Sequence, residues 1–203
     1  MGIQLSGIDT LFYYSTLVLR SAQIPQPQLA STLLGLLNAI MTLVAIWAME
    51  RAGRRTLLLA GWFGMCACYL LLAYALAAAT GDAPSRASAA PLALPDGGLA
   101  VAAMGGVLVC FAIGPGSVAW FVVAEIFPPH AREAAMALGV VLNWSANFFV
   151  AFTFPTAHEL LGPRVFLLFA ASTATFGALA LRCLPETKNK HVDDITWEFG
   201  AAL

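Results

Sequence analysis

Between Thr56 and Thr80 the chain carries no charged side chain, and none falls between Leu99 and Ala124. A helix of about 20 apolar residues crosses the hydrocarbon core of a bilayer. Uncharged runs of this length therefore constrain the chain more than any other feature. Composition agrees: 60% of residues are hydrophobic and 10% are charged, against about 25% charged in an ordinary soluble domain. That little charge cannot cover a water-facing surface, and most of it sits between the apolar runs. The pattern predicts a polytopic, all-α membrane protein embedded in a lipid bilayer. The net charge of −1 and the lack of a basic stripe exclude a nucleic-acid partner.

Six apolar segments are expected, at about 3–19, 28–49, 56–80, 99–124, 132–156 and 165–184, followed by a polar tail over 185–203. With six spans, the connection Glu50–Arg55, the turn Glu125–Arg132 and the tail share one side. That side holds Arg51, Arg54, Arg55, Arg132, Arg182, Lys188 and Lys190, and the other holds Arg20, Arg86 and Arg164. The Lys/Arg excess predicts that the first side, with the C-terminus, is cytoplasmic. Asn143-Trp144-Ser145 then lies inside a span and is not a glycosylation site. No signal peptide is recognisable, and the abrupt start leads us to expect sequence before it.

The fourth segment is interrupted by Gly114-Pro115-Gly116. Broken helices at membrane depth are tolerated where neighbouring helices or a water-lined cavity receive the freed backbone groups. In transporters such breaks point to the substrate site. Polar residues inside the segments also mark cavities. Here they are Gln4, Ser6, Asp9, Thr10, Tyr13 and Tyr14, then Asn38 and Thr42, then Ser117 and Trp120, then Asn143, Trp144, Ser145 and Asn147. Amides and hydroxyls both donate and accept hydrogen bonds, and an indole offers an apolar face. Together they suit a sugar, with its ring of hydroxyls and its C–H faces. Asn147 serves equally well as an interhelical tie, and Trp120 as an interfacial anchor. Tyr13 and Tyr14 point in different directions, so at most one faces a cavity.

Cys66, Cys68, Cys110 and Cys183 lie in or beside apolar runs with no histidine at metal-ligand spacing. They read as small packing residues, without disulfide or zinc. No nucleophile, base or metal cluster has usable spacing, so no enzyme, metal or cofactor is expected.

Five motifs occur in register: QLSGIDTLFYYST, ERAGRRTLLL, GPGSVAWFVVAEIFPPHAR, NWSANF and PETK. Through them, residues 3 to 199 resemble the C-terminal half of the facilitative hexose transporters, sugar porters of the major facilitator superfamily. The resemblance implies a six-helix half-bundle and, as partner, an N-terminal six-helix half. It implies sugar ligands at Gln4, Asp9, Asn38, Trp120 and Asn143. It implies gating roles for Tyr13, Tyr14 and the Gly114-Pro115-Gly116 hinge. Glu50, Arg51, Arg54, Arg55, Glu125, Arg132 and Glu186 match the family's cytoplasmic charge network, a latch that forms and breaks with the transport cycle.

The sequence departs from the family pattern at Ile3, which replaces a glutamine, and at Asp9, which replaces an asparagine. Ala112 stands where many members have glutamate, and Ser117 and Ala119 replace two prolines. The implied function is facilitative transport of a hexose, D-glucose first, by alternating access, in a multi-pass protein of the plasma membrane. Three alternatives stand beside it: a half-length chain inactive alone or acting as an assembly or regulatory partner; proton-coupled symport; and fructose or polyol transport.

Overall fold

A computed structural model of the chain describes residues 2–80 and 97–184, and every described element is helical. The first segment is not one helix. It is three short ones, α1 (Gly2–Leu5), α2 (Ile8–Tyr13) and α3 (Ser15–Ser21). Gly7 separates the first two with φ +74°, a left-handed conformation that disfavours any Cβ. Tyr14 separates the second from the third. The remaining elements are α4 (Pro27–Arg51), α5 (Arg54–Thr80), α6 (Gly98–Ile113), α7 (Pro115–Ile126), α8 (Pro129–Leu161), a 3-10 turn (Gly162–Arg164) and α9 (Val165–Cys183). The tail after Leu184, with Glu186, lies outside the described residues.

Four described stretches are long and apolar enough to cross a membrane: Pro27–Arg51, Arg54–Ala79, Gly98–Ile126 and Pro129–Cys183. The last contains two helices. The chain reverses at Gly162–Arg164, because Phe154 of α8 meets Phe166 and Phe169 of α9, with ring centroids 6.3 and 6.1 Å apart. α8 also runs past the expected boundary at residue 156, through Pro155, to Leu161.

α5 is the central helix and packs on α6 and α9. Trp62, Met65, Tyr69, Leu72 and Leu76 are all buried. Their alternating spacing of three and four residues puts them on one stripe, which explains why an apolar helix has a preferred inner face. Lipid is as apolar as leucine, so this packing is held by close van der Waals contact, and small residues sit at the nearest approaches. A Cβ on Gly61 would lie 2.8 Å from Gly114 Cα and 2.9 Å from the Cys110 carbonyl oxygen. A Cβ on Gly177 would meet the Trp62 Cβ at 3.2 Å.

The two ends of the bundle are fastened differently. At one end Tyr14, Tyr69, Phe154, Phe166 and Phe169 form a ring cluster joining the first segment, α5, α8 and α9. At the other end arginines cover helix C-termini. Arg54 donates to the Met49 carbonyl at 3.3 Å, Arg55 to that of Leu181 at 2.7 Å, and Arg132 to that of Phe127 at 3.4 Å. Cations suit these carbonyl ends, where the helix dipole is negative.

Outward, α4 and α8 present apolar side chains. Leu29, Leu33, Leu36, Ile40, Leu43 and Trp47 form an exposed stripe on α4, and Leu138, Val141, Phe148 and Phe152 are exposed on α8. A surface of this kind belongs in contact with lipid or another apolar bundle.

The Gly61–Gly114 contact leaves no room for a side chain, because the atoms in the way are backbone. Gly114→Ala is expected to lower stability by about 1–3 kcal/mol, read as a drop in Tm in detergent micelles. Gly35→Ala on α4, where a Cβ meets nothing within 4 Å, should leave Tm unchanged or slightly raised.

Candidate substrate site and gate

The break in the fourth segment lies between α6 and α7, where Gly114 takes φ −106° and ψ −103°. Pro115 has no amide hydrogen, and the turn frees carbonyls that a continuous helix would use. Ser117 Oγ donates to the Ala112 carbonyl at 2.9 Å. Ser117 thus satisfies a backbone oxygen at the break. Hydroxyls do the same along the broken first segment. Ser6 Oγ donates to the Ile3 carbonyl at 2.5 Å, and Thr10 Oγ1 to the Gly7 carbonyl at 2.6 Å. Thr42 Oγ1 donates to the Asn38 carbonyl at 2.9 Å. These four hydroxyls, which the sequence offers as cavity-lining, are engaged by backbone carbonyls three to five residues before them.

The amides behave differently. Asn147 Nδ2 donates to Gln4 Oε1 at 3.1 Å and also to Asp9 Oδ2. One amide of α8 thereby ties α1 to α2 across the left-handed break at Gly7. Gln4 and Asn147 are buried, and Asp9 is half-buried. Asn147 suits an interhelical tie and a ligand equally well by its sequence position alone. Its geometry is that of the central residue of the cluster, and the signal for it was its four-residue spacing from Asn143 on one helix face.

Asn143, one turn earlier on α8, is buried, and its Oδ1 has no hydrogen-bond partner. A buried amide oxygen in that condition is an acceptor ready for a donor. It borders a cavity of about 350 Å³ together with Trp120, Ile3, Trp62, Phe176 and Cys183. Of the five expected sugar ligands, Trp120 and Asn143 line this cavity. Gln4 and Asp9 sit in the adjoining amide cluster. Asn38 stands apart on α4, half-buried, its Oδ1 also without a partner. Ile3, Trp62 and Phe176 add walls that no polarity signal could have marked.

The tyrosine pair divides as its spacing requires. Tyr14 is packed, its hydroxyl donating to the Ala151 carbonyl at 3.1 Å and its ring 5.2 Å from Phe154. Tyr13 is 56% exposed. Among the charged positions, Arg54 pairs with Glu125 at 3.2 Å, linking the start of α5 to the end of α7. Arg51 lies over the Trp47 ring, 4.3 Å from its centroid. Glu50 is exposed. No cluster of three metal-ligating side chains occurs among the described residues.

This geometry of a broken segment, a buried amide cluster and an adjoining aromatic cavity can be compared with known proteins. The sequence matches the profile of the family described as "Sugar (and other) transporter" over residues 1–199. The chain belongs to the sugar transporter family. It is 39% identical over 199 residues to the human solute carrier family 2 facilitated glucose transporter member 14, covering 97% of this chain and 36% of that protein. It is 40% identical over 196 residues to the mouse facilitated glucose transporter member 4, again covering 97% of this chain and 36% of the relative.

The chain thus spans a little over a third of the length of these curated relatives. Among solved structures it resembles a D-xylose-proton symporter at 26% identity and TM-score 0.71, covering 94% of this chain and 43% of that one. It also shares the fold of the major facilitator proton:xylose symporter XylE bound to 6-bromo-6-deoxy-D-glucose, at TM-score 0.77 and 24% identity, covering 98% of this chain and 42% of that one. The sugar transporter family is one of transporters, not of enzymes, and its half-length all-helical bundle is the fold seen here.

Asn147→Ala removes the donor shared by Gln4 and Asp9 and strands two polar groups. The expected cost is about 1–3 kcal/mol, with faster hydrogen exchange over residues 2–13. Ser145→Ala, on the exposed side of the same helix, should change neither. Equal exchange in both variants would refute the tie.

Proposed function

We propose that this chain forms the C-terminal half of a facilitative hexose transporter, with D-glucose its first substrate, working by alternating access. The observation that carries the reading is the amide-lined interior of an otherwise apolar bundle. Gln4, Asn147 and Asp9 are joined there, and the open Asn143 oxygen stands with the Trp120 indole at one cavity. A neutral, hydrogen-bonding wall beside an aromatic face matches the chemistry of a sugar. The facilitated glucose transporters that the chain resembles support glucose over other hexoses.

In this reading Gln4, Asp9, Asn38, Trp120 and Asn143 contact sugar, and Asn147 positions Gln4 and Asp9. Gly114, Pro115 and Gly116 form a hinge between the cavity and the Arg54–Glu125 pair. The pair belongs to a cytoplasmic latch with Glu50, Arg51, Arg55, Arg132 and Glu186. Tyr13 and Tyr14 gate the opposite end, with Tyr14 as the fixed post and Tyr13 as the free one. The bundle lies in the plasma membrane with its C-terminus cytoplasmic. Rocking motion requires two bundles, and the exposed apolar stripes of α4 and α8 suit contact with an N-terminal half.

A second reading is supported by length. The chain covers 36% of its curated relatives, and alone it would be an inactive half or an assembly partner. Expression in hexose-uptake-null cells, alone and joined to a matching N-terminal half, separates the two. Uptake of labelled glucose only by the joined form is expected. Uptake by neither would sink the transport reading, and dependence on a proton gradient would move it to symport.

In the joined form, Trp120→Ala and Gln4→Ala are each expected to reduce uptake about tenfold, the equivalent of about 1.4 kcal/mol, at normal surface expression. Asp9→Asn should keep or improve uptake, since an amide there can still accept from Asn147. Complete loss in that variant would assign Asp9 an ionic role.

A further inference from the structure

Of the four cysteines, Cys183 lines the cavity that holds Trp120 and Asn143. Cys68 and Cys110 are seated in the α5–α6 contact, where a Cβ on Gly106 or Gly64 would lie 2.6 Å from their sulfurs. Cys66 does not line the cavity. Cys183 is the last residue of α9, and that turn is fastened by two hydrogen bonds. The Leu184 amide donates to the Ala180 carbonyl at 3.0 Å, and Arg55 donates to the Leu181 carbonyl at 2.7 Å. Ala180, Cys183 and Leu184 are thereby held along one wall of the cavity. The Cys183 thiol is free and half-buried.

The rest of the wall is mostly apolar and aromatic, with Ile3, Trp62, Trp120 and Phe176. The Trp62 and Phe176 rings stack with centroids 5.6 Å apart. Against them stands one polar side chain of a different kind. Asn143 is only 6% exposed, it lines the cavity, and its Oδ1 has no hydrogen-bond partner. A buried acceptor in that condition calls for a donor from a ligand. The Cys183 sulfur adds a nucleophile to the same cavity. A ligand that meets all three features has an apolar body, a hydroxyl and a carbon that a thiol can attack.

We propose that this cavity is a covalent modification site, at which Cys183 captures apolar Michael acceptors of the class of medium-chain 4-hydroxy-2-alkenals. Such alkenals arise from oxidised acyl chains, the solvent of a membrane helix bundle. The tail lies against the aromatic wall, and the hydroxyl donates to Asn143 Oδ1. The Cys183 sulfur then adds to the β-carbon of the enal. An S–C bond forms, the C=C π bond breaks, and its electron pair moves to the α-carbon, which takes up the proton that the thiol gives. The aldehyde is kept, nothing leaves, and the step uses no oxidant or reductant. The consequence for transport rests on the function proposed above: an adduct that fills the space beside Trp120 blocks uptake.

The purified chain in detergent micelles would be treated with 4-hydroxy-2-nonenal, fixed with borohydride and digested. Mass spectrometry should find one reduced alkenal on the peptide bearing Cys183, formed about tenfold faster than on Cys66, the scale that burial of a few methylenes sets. With acrolein, which has the same electrophile and no tail, that preference should disappear. Gly139 lines the same cavity, and a Cβ there meets only the Trp120 ring, at 3.9 Å. Gly139→Leu therefore fills the cavity without a backbone clash. It should slow the adduct at Cys183 about tenfold, with the rate at Cys66 and the Tm unchanged. The same preference for Cys183 with both enals, an adduct chiefly on Cys66, Cys68 or Cys110, or an unchanged Cys183 rate in Gly139→Leu would overturn the site. In the joined two-half transporter, the alkenal should abolish uptake in the wild type and spare Cys183→Ser. Equal loss in both would overturn the block of transport. A joined transporter with no uptake before treatment would defeat the transport reading and leave the Cys183 adduct measured by mass.

Discussion

A helix broken inside hydrocarbon leaves backbone carbonyls and amides with no water to receive them. This fold contains such breaks at Gly7, at Tyr14 and at Gly114, and much of the rest follows from covering them. Ser6, Thr10 and Ser117 return hydroxyls to carbonyls near the breaks. The Tyr14 hydroxyl crosses to the Ala151 carbonyl of α8. Gly61 and Gly114 let α5 press against the bend so closely that only backbone fits. A broken segment so covered can bend at a defined point without losing its place in the bundle.

The polar interior is built on that frame. The two pieces of the first segment that bear Gln4 and Asp9 are aligned by one amide, that of Asn147. Asn143 sits a turn away with its oxygen unengaged, on the same face of the same helix. One helix thus supplies both the tie and an open acceptor. The Asp9 side chain takes part in that tie through Oδ2, which accepts from Asn147.

The charged end works by a different economy. Three arginines spend hydrogen bonds on the last carbonyls of helices or on the adjoining turn, and one ion pair joins α5 to α7. At 26% and 29% side-chain exposure the Arg54–Glu125 pair is partly screened by solvent. Its worth is on the scale of about 1 kcal/mol or less. A contact of that size breaks and reforms readily, whereas the ring cluster at the opposite end is closely packed.

The membrane class, the helical fold and the family were legible from the residues alone. They depend on the length of uncharged runs and on motifs in register, and both are properties of the chain read in order. The break at Gly114-Pro115-Gly116 was legible for the same reason, since proline and glycine act on the backbone where they stand. Which polar side chains face a cavity was not. Ser6, Thr10 and Ser117 look as available as Gln4 and Asn143 in the sequence. The deciding fact is whether a backbone carbonyl lies within reach, and that depends on where each helix breaks. The centrality of Asn147 and the seating of Cys68 and Cys110 against Gly106 and Gly64 likewise join residues far apart in the chain. Only the packing of α8 on the first segment, and of α5 on α6, brings them within the few ångströms over which hydrogen bonds and close packing act.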